Sequence, residues 1–216
     1  MSAPDLKSIF CKAEAILKGK EEVRVNLFDN PMKARWTSGD YLTLGIDIVE
    51  SEKSGKDEYS DYYVEEIQQP VFCAIGALGA AIAILENPFV VISEGMLEEM
   101  ASSKLVQAAS REFLLSLPKG EQKKVINAFG YQLVSPYTLR YVNGSRIAPS
   151  IKTMEEFLKK HAERAAKDNT VNALSEIVIE YNDNIAEDGN RVIKTFSKAC
   201  VKLTESAAFL ETGGCS

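Results

Sequence analysis

The stretch that most limits what this chain can fold into is residues 71–117, VFCAIGALGAAIAILENPFVVISEGMLEEMASSKLVQAASREFLLSL. It opens with a run of small and apolar residues, Val71 to Leu85, that includes Gly76 and Gly79. Asn87-Pro88 stops a helix there, because proline fixes its own φ and disfavours the α conformation in the residue before it. Phe89-Val90-Val91-Ile92 has the apolar, β-branched character of a short buried strand. Ser93 is placed to cap a second, long helix that ends at Pro118. The pattern predicts a helix–strand–helix core on which the rest of the chain packs.

Elsewhere the periodicity sets out the remaining elements. Residues 5–18 place Leu6, Ile9, Phe10, Ala13 and Leu17 on one face of a first helix, ended by Gly19. Val23–Leu27 and Tyr41–Val49 alternate apolar and polar residues and read as strands, with Asp29-Asn30-Pro31 turning the chain between them. Residues 50–61 are a highly charged connection centred on Gly55, the best candidate in the chain for a partner-facing loop; a plain surface connection is the simpler reading. Lys119–Leu133 predicts a helix with Val125, Ile126, Phe129 and Leu133 inward. Residues 134–150 read as a long loop with one strand or a hairpin.

Three helical patterns close the chain. The first, 152–167, carries Met154, Phe157, Leu158, His161 and Ala165 on its stripe; the second, 171–187, carries Leu174, Ile177, Val178, Tyr181 and Ile185. The third, 190–210, carries Val192, Ile193, Phe196, Cys200, Leu203 and Ala207. The expected class is α+β, mainly helical with a small sheet, in a single domain over 1–216. Its parts are an N-terminal helix and strands (1–70), the central core (71–134) and a C-terminal three-helix segment (151–210).

Composition excludes several function classes. A net charge of −6 and a pI near 5.1 argue against a sequence-independent nucleic-acid binder, which needs clustered Lys and Arg to displace phosphate counterions. The apolar run Val71–Leu85 is too short for a membrane span, and the N-terminus lacks the continuous apolar core of a signal peptide. Cys11, Cys73, Cys200 and Cys215 form no C-x-x-C pair and read as buried thiols plus a tail thiol in a reducing compartment. A cytoplasmic location is expected, or a virion if the chain is viral. Asn143-Gly-Ser145 is then a turn and not a glycosylation site. His161 is the only histidine and lies on an apolar stripe, where a packed histidine is the expected reading.

One constellation carries a family likeness. Phe89–Leu97, the polar dip Ser102-Ser103-Lys104 and Leu105–Glu112 together resemble the strand-plus-helix lead-in of minimal M48-like zinc metallopeptidases. In that family two histidines one helical turn apart bind zinc, and the glutamate between them activates the bound water. By this resemblance Arg111 stands at the first histidine position, Glu112 keeps the glutamate and Leu115 replaces the second histidine. Neither a guanidinium nor an aliphatic chain ligates zinc. Glu180-Tyr-Asn-Asp183 and the segment after it are similar to the family's second motif, one residue short between Glu180 and Asp183. The resemblance spans about residues 84–200 and implies a scaffold whose zinc ligands are lost.

The residues also admit plainer readings. Glu112 lies along an apolar stripe and needs a partner, which an ion pair supplies. Glu176, Glu180, Asp183 and Glu187 share one helix face, which reads as a solvated acidic surface. Trp36 is an interaction anchor or a satellite core residue. No nucleophile elbow or phosphate loop is present. The expectation is a non-catalytic structural, assembly or interaction protein without a cofactor, with protein partners or self-assembly, possible within a phage virion. The alternatives are a hydrolase using a divalent metal on Glu112, Glu180 and Asp183, and an unrelated helical binding module.

Overall fold

The computed structural model describes residues 4–52, 62–133, 140–142, 145–147, 151–168, 171–186 and 188–212. Helix α2, Ala74–Glu86, is the centre: every residue from Ala74 to Ala83 is buried. A helix that is apolar on all sides has to be surrounded. Around it pack α1 (Leu6–Leu17), α3 (Glu94–Ala101), α4 (Lys104–Ser116), α7 (Leu174–Glu180) and the end of strand β4 (Tyr62–Phe72). Helices α5 (Lys119–Phe129), α6 (Met154–Ala165) and α8 (Gly189–Thr212) complete the helical part. The α+β class is as expected.

Gly76 lets α2 approach the loop after the second strand. A Cβ there would lie 1.9 Å from the Tyr41 carbonyl oxygen. Backbone cannot yield as a flexible side chain does, so Gly76→Ala should cost about 2–3 kcal/mol through overpacking. Urea unfolding measures this; an unchanged midpoint would show that the loop moves aside freely.

The sheet runs β1 (Lys18–Val23), β2 (Met32–Trp36), β4, β3 (Thr43–Glu52). β1 and β2 are antiparallel, β2 and β4 parallel, and β3 and β4 antiparallel. β2 meets β4 only at Arg35↔Val71 and Trp36↔Phe72, whereas β3 and β4 stay in register from Thr43↔Val71 to Glu52↔Tyr62. Beyond its inner end, β3–β4 is therefore a two-stranded ribbon standing off the sheet. A second antiparallel pair joins β5 (Arg140–Val142) to β6 (Ser145–Ile147), the hairpin allowed for in 134–150.

Several boundaries differ from the sequence pattern, each for a local reason. The strand expected over Val23–Leu27 lies earlier, in β1, where Gly19 takes a φ of 62° and lets the chain pass straight from α1 into the sheet. Val71 and Phe72 belong to β4, and Cys73 caps α2 by accepting the Gly76 N–H on Sγ at 3.3 Å. Phe89–Ile92 is not a buried strand: Phe89 is 80% and Val91 55% exposed, and Ile92 alone bridges Val25. Asn87 curls this segment, its side chain accepting the Phe89 N–H and its carbonyl the Val90 N–H.

The long helix expected after Ser93 is two helices, because the Ser103 hydroxyl accepts the Val106 N–H and starts α4 afresh. The helix expected to reach Leu133 ends at Phe129 and tightens into a 3₁₀ turn, Gly130–Leu133. Ala165 is exposed and not on the buried stripe. The charged connection lies mostly outside the described residues, as do Asn143, Gly144, Glu187 and the tail from Gly213 with Cys215, while β3 extends through Glu52.

An aromatic chain ties the terminal helices to the centre. Phe10 of α1 meets Phe196 of α8 at 5.7 Å, Phe196 meets Phe113 of α4 at 5.2 Å, and Phe113 meets Tyr181 at 5.9 Å between ring centroids. The same packing brings Cys11 and Cys200 to a Cα separation of 5.1 Å, and they form a disulfide. This corrects the reading of all the cysteines as thiols. Bonds of this kind persist in oxidising compartments. Cys73 remains a free, buried thiol whose pKa burial pushes up to about 11, so it caps a helix and is a poor nucleophile at neutral pH.

Candidate functional site

The positions named by the metallopeptidase resemblance do not assemble into a site. On α4, Arg111 Nη1 pairs with Glu112 Oε1 at 2.8 Å, and Lys202 of α8 reaches Glu112 Oε2 at 3.4 Å. Glu112 is thus the ion-paired glutamate of the plainer reading. Leu115 packs against the hydrophobic core. Glu180 is exposed at the end of α7. Asp183 is drawn elsewhere and accepts the Gly39 N–H at 2.8 Å. Among the described residues no three His, Cys, Asp or Glu side chains lie close enough together to hold a metal ion. His161 is buried, with Nε2 2.7 Å from the Asn172 carbonyl oxygen and its ring beside Phe157.

The residue that organises this region is one the sequence pattern passes over. After α7 the chain widens into a π-helical turn, Tyr181–Ile185, closed by the Ala186 N–H on the Tyr181 carbonyl at 2.8 Å. The wider turn buries two successive residues, Tyr181 and Asn182. Asn182 Oδ1 accepts the Trp36 indole N–H at 2.8 Å and the Ala74 N–H at 3.1 Å. Its amide donates to the Thr37 carbonyl at 3.1 Å and to Asp183 Oδ1 at 2.8 Å. One side chain therefore joins the end of β2, the first turn of α2 and the loop after β2. Trp36 is held inside the fold by this bond and by Gly189, where a Cβ would lie 2.3 Å from the indole.

Beside Asn182, Tyr181 is fully buried. Burial first, and then the charge of Glu121, raises its phenol above the ordinary range. Glu121 is itself buried and is paired with Arg191 and Lys124, each at 3.1 Å. Both cations sit on Oε1, and Oε2 is buried without a hydrogen-bond partner among the described residues.

Two surface features remain, and they are electrically opposite. The first is the β3–β4 ribbon. Residues 41–70 hold eight acidic and two basic residues, so this stretch alone accounts for the net charge of −6 and the rest of the chain balances to zero. Within the two strands there are five carboxylates (Asp47, Glu50, Glu52, Glu65 and Glu66) and no Lys or Arg. The ribbon also exposes Leu44 (46%), Ile46 (64%) and Ile67 (38%).

The second feature is a cleft of about 880 Å³ among α4, α5, α6 and α8. Lys119, Lys123, Lys152 and Lys198 stand around it, over Leu115, Leu117, Ile126 and Ile151. The basic face continues along α8 through Lys194 and Lys202 beside Val201, which is 55% exposed. Among the described residues Lys119, Lys123, Lys152, Lys194 and Lys198 make no ion pair. A smaller hollow bounded by Asp40, Tyr41, Glu94, Glu98 and Asp183 is acidic. Among the described residues no helix is long and apolar enough to cross a membrane.

No protein-family model, curated protein or solved structure matches the chain. The metallopeptidase likeness thus stands on its sequence pattern alone.

Proposed function

We propose that this chain is a non-catalytic structural or assembly protein, on a scaffold resembling that of the zinc metallopeptidases, and that it works by contact with other proteins. The observation that carries the reading is the β3–β4 ribbon, which stands off the sheet, exposes aliphatic side chains and has five carboxylates and no Lys or Arg in its strands. Acidic groups on an edge strand guard against aggregation. That role leaves Ile46 unexplained, because a protective edge has no need of a largely exposed isoleucine.

The ion-paired state of Glu112 supports the same reading. A carboxylate that takes both a neighbouring guanidinium and Lys202 is already neutralised without a metal. Native mass spectrometry of metal-free and metal-supplemented protein tests the proposal, with no stoichiometric uptake expected. Glu112→Gln should leave the metal content and mass distribution unchanged and cost less than about 1 kcal/mol, because its cationic partners are half-exposed. Uptake of one divalent ion per chain, abolished by Glu112→Gln, would overturn this reading and turn attention to the carboxylate-metal alternative.

A further inference from the structure

Resting on the assembly reading, we propose that the partner is a second copy of this chain, and that the β3–β4 ribbon of one copy docks head to tail in the lysine-walled cleft of the next. The two surfaces are complementary in charge. The ribbon strands bring five carboxylates and no cation, and the cleft and the α8 face beside it bring five lysines without ion pairs among the described residues. Among the described residues Glu155 is the acidic residue lining the cleft, and Glu205 stands on the α8 face beside it. Charge matched in this way steers encounter and fixes register.

They are complementary in apolar character as well. The register puts Leu44 and Ile46 on one face of the ribbon, opposite Pro70 and Gln68, and the cleft has an aliphatic floor. Lysine stems cover apolar surface while their ammonium groups stay at the rim, so the cleft suits an occupant with an aliphatic centre and carboxylates around it. On the ribbon face that carries Leu44 and Ile46 the register also places Glu50, Glu52 and Glu66, whereas Asp47 and Glu65 fall on the other face.

Among the described residues β3 packs principally on β4, and no principal contact joins the ribbon to α5, α6 or α8. Because the ribbon and the cleft are different patches, their union is heterologous and each docked copy still offers one of each. Such contacts propagate into a ring or an open chain and do not stop at a dimer.

Analytical ultracentrifugation and native mass spectrometry of the full chain test the proposal. At about 100 µM and low salt, species larger than a dimer are expected, shrinking as salt rises from about 0.05 to 0.5 M because exposed charge pairs are screened. Two variants divide the interface: Leu44→Ser with Ile46→Ser on the ribbon, and Lys123→Glu with Lys198→Glu in the cleft. Each alone should keep its circular dichroism and weaken association about tenfold or more. Mixed in equal amounts they should recover dimers and nothing larger, since one intact ribbon then meets one intact cleft.

A wild-type chain that stays monomeric overturns the proposal, as does a mixture that recovers no dimer. Oligomers that respond to the ribbon variant but not to the cleft variant also overturn it and point to edge-to-edge pairing of β3. A monomer without stoichiometric metal removes this partner and leaves the assembly reading standing for a different protein. Metal uptake removes the assembly reading itself.

Discussion

Replacing Asn182 by leucine should destabilise the fold by about 4 kcal/mol, the largest effect expected of any single substitution away from the disulfide. Leucine is similar in size but neither accepts nor donates. It would leave the Trp36 indole N–H, the Ala74 N–H and the Thr37 carbonyl without the partner they have now. Each such group buried without a partner costs about 1–3 kcal/mol, and Ala74 begins α2, where the helix itself has no acceptor to offer. The effect should be read at two places. Urea unfolding gives the free energy, and the emission of Trp36, the one tryptophan, reports the site. A loss below about 1 kcal/mol would show that water replaces Asn182 and that the π-helical turn is not a structural hub.

Breaking the Cys11–Cys200 bond should have an effect of the same order. The cysteines are 189 residues apart, so the bond removes the closure entropy of almost the whole chain from the unfolded state. On that account reduction, or Cys11→Ser, costs about 3–5 kcal/mol. For a chain of this size that lowers Tm by about 10 °C. Calorimetry with and without reductant measures it. Cys73→Ser is the control: serine caps a helix as well as cysteine does, so that variant should keep the full sensitivity to reductant. If reductant leaves Tm unchanged, the two sulfurs are not bonded in solution, and the aromatic contact of Phe10 with Phe196 holds α1 to α8 alone. The bond also bears on assembly, because α8 forms one wall of the lysine cleft.

What the sequence made legible was governed by local forces. The apolar run that became α2, the stop at Asn87-Pro88, the serine cap at 93 and the stripes of α1, α5, α6 and α8 were all visible, since periodicity and capping act within a few residues, whereas the second cap at Ser103 reads only as a polar dip in one long helix. Glu112 as an ion-paired glutamate and His161 as a packed histidine were also among the plain readings. Other features depend on what lies across the fold. Phe89–Ile92 has strand composition but no neighbouring strand beyond the single bridge to Val25. β2 has little alternation and is a strand because β1 and β4 flank it.

The candidate surfaces divide along the same line. Sequence alone determined that the chain is acidic, that its negative charge gathers around residues 41–70, and that one apolar helix must be enclosed. Only the tertiary structure decided that Asn182 meets Trp36, that Cys11 meets Cys200, and that lysines from α5, α8 and the approach to α6 surround one cleft. Partners separated by 146 or 189 positions leave no spacing rule in the chain. They are selected when burial closes the core, because a buried polar group or thiol takes whichever partner the packing brings to it.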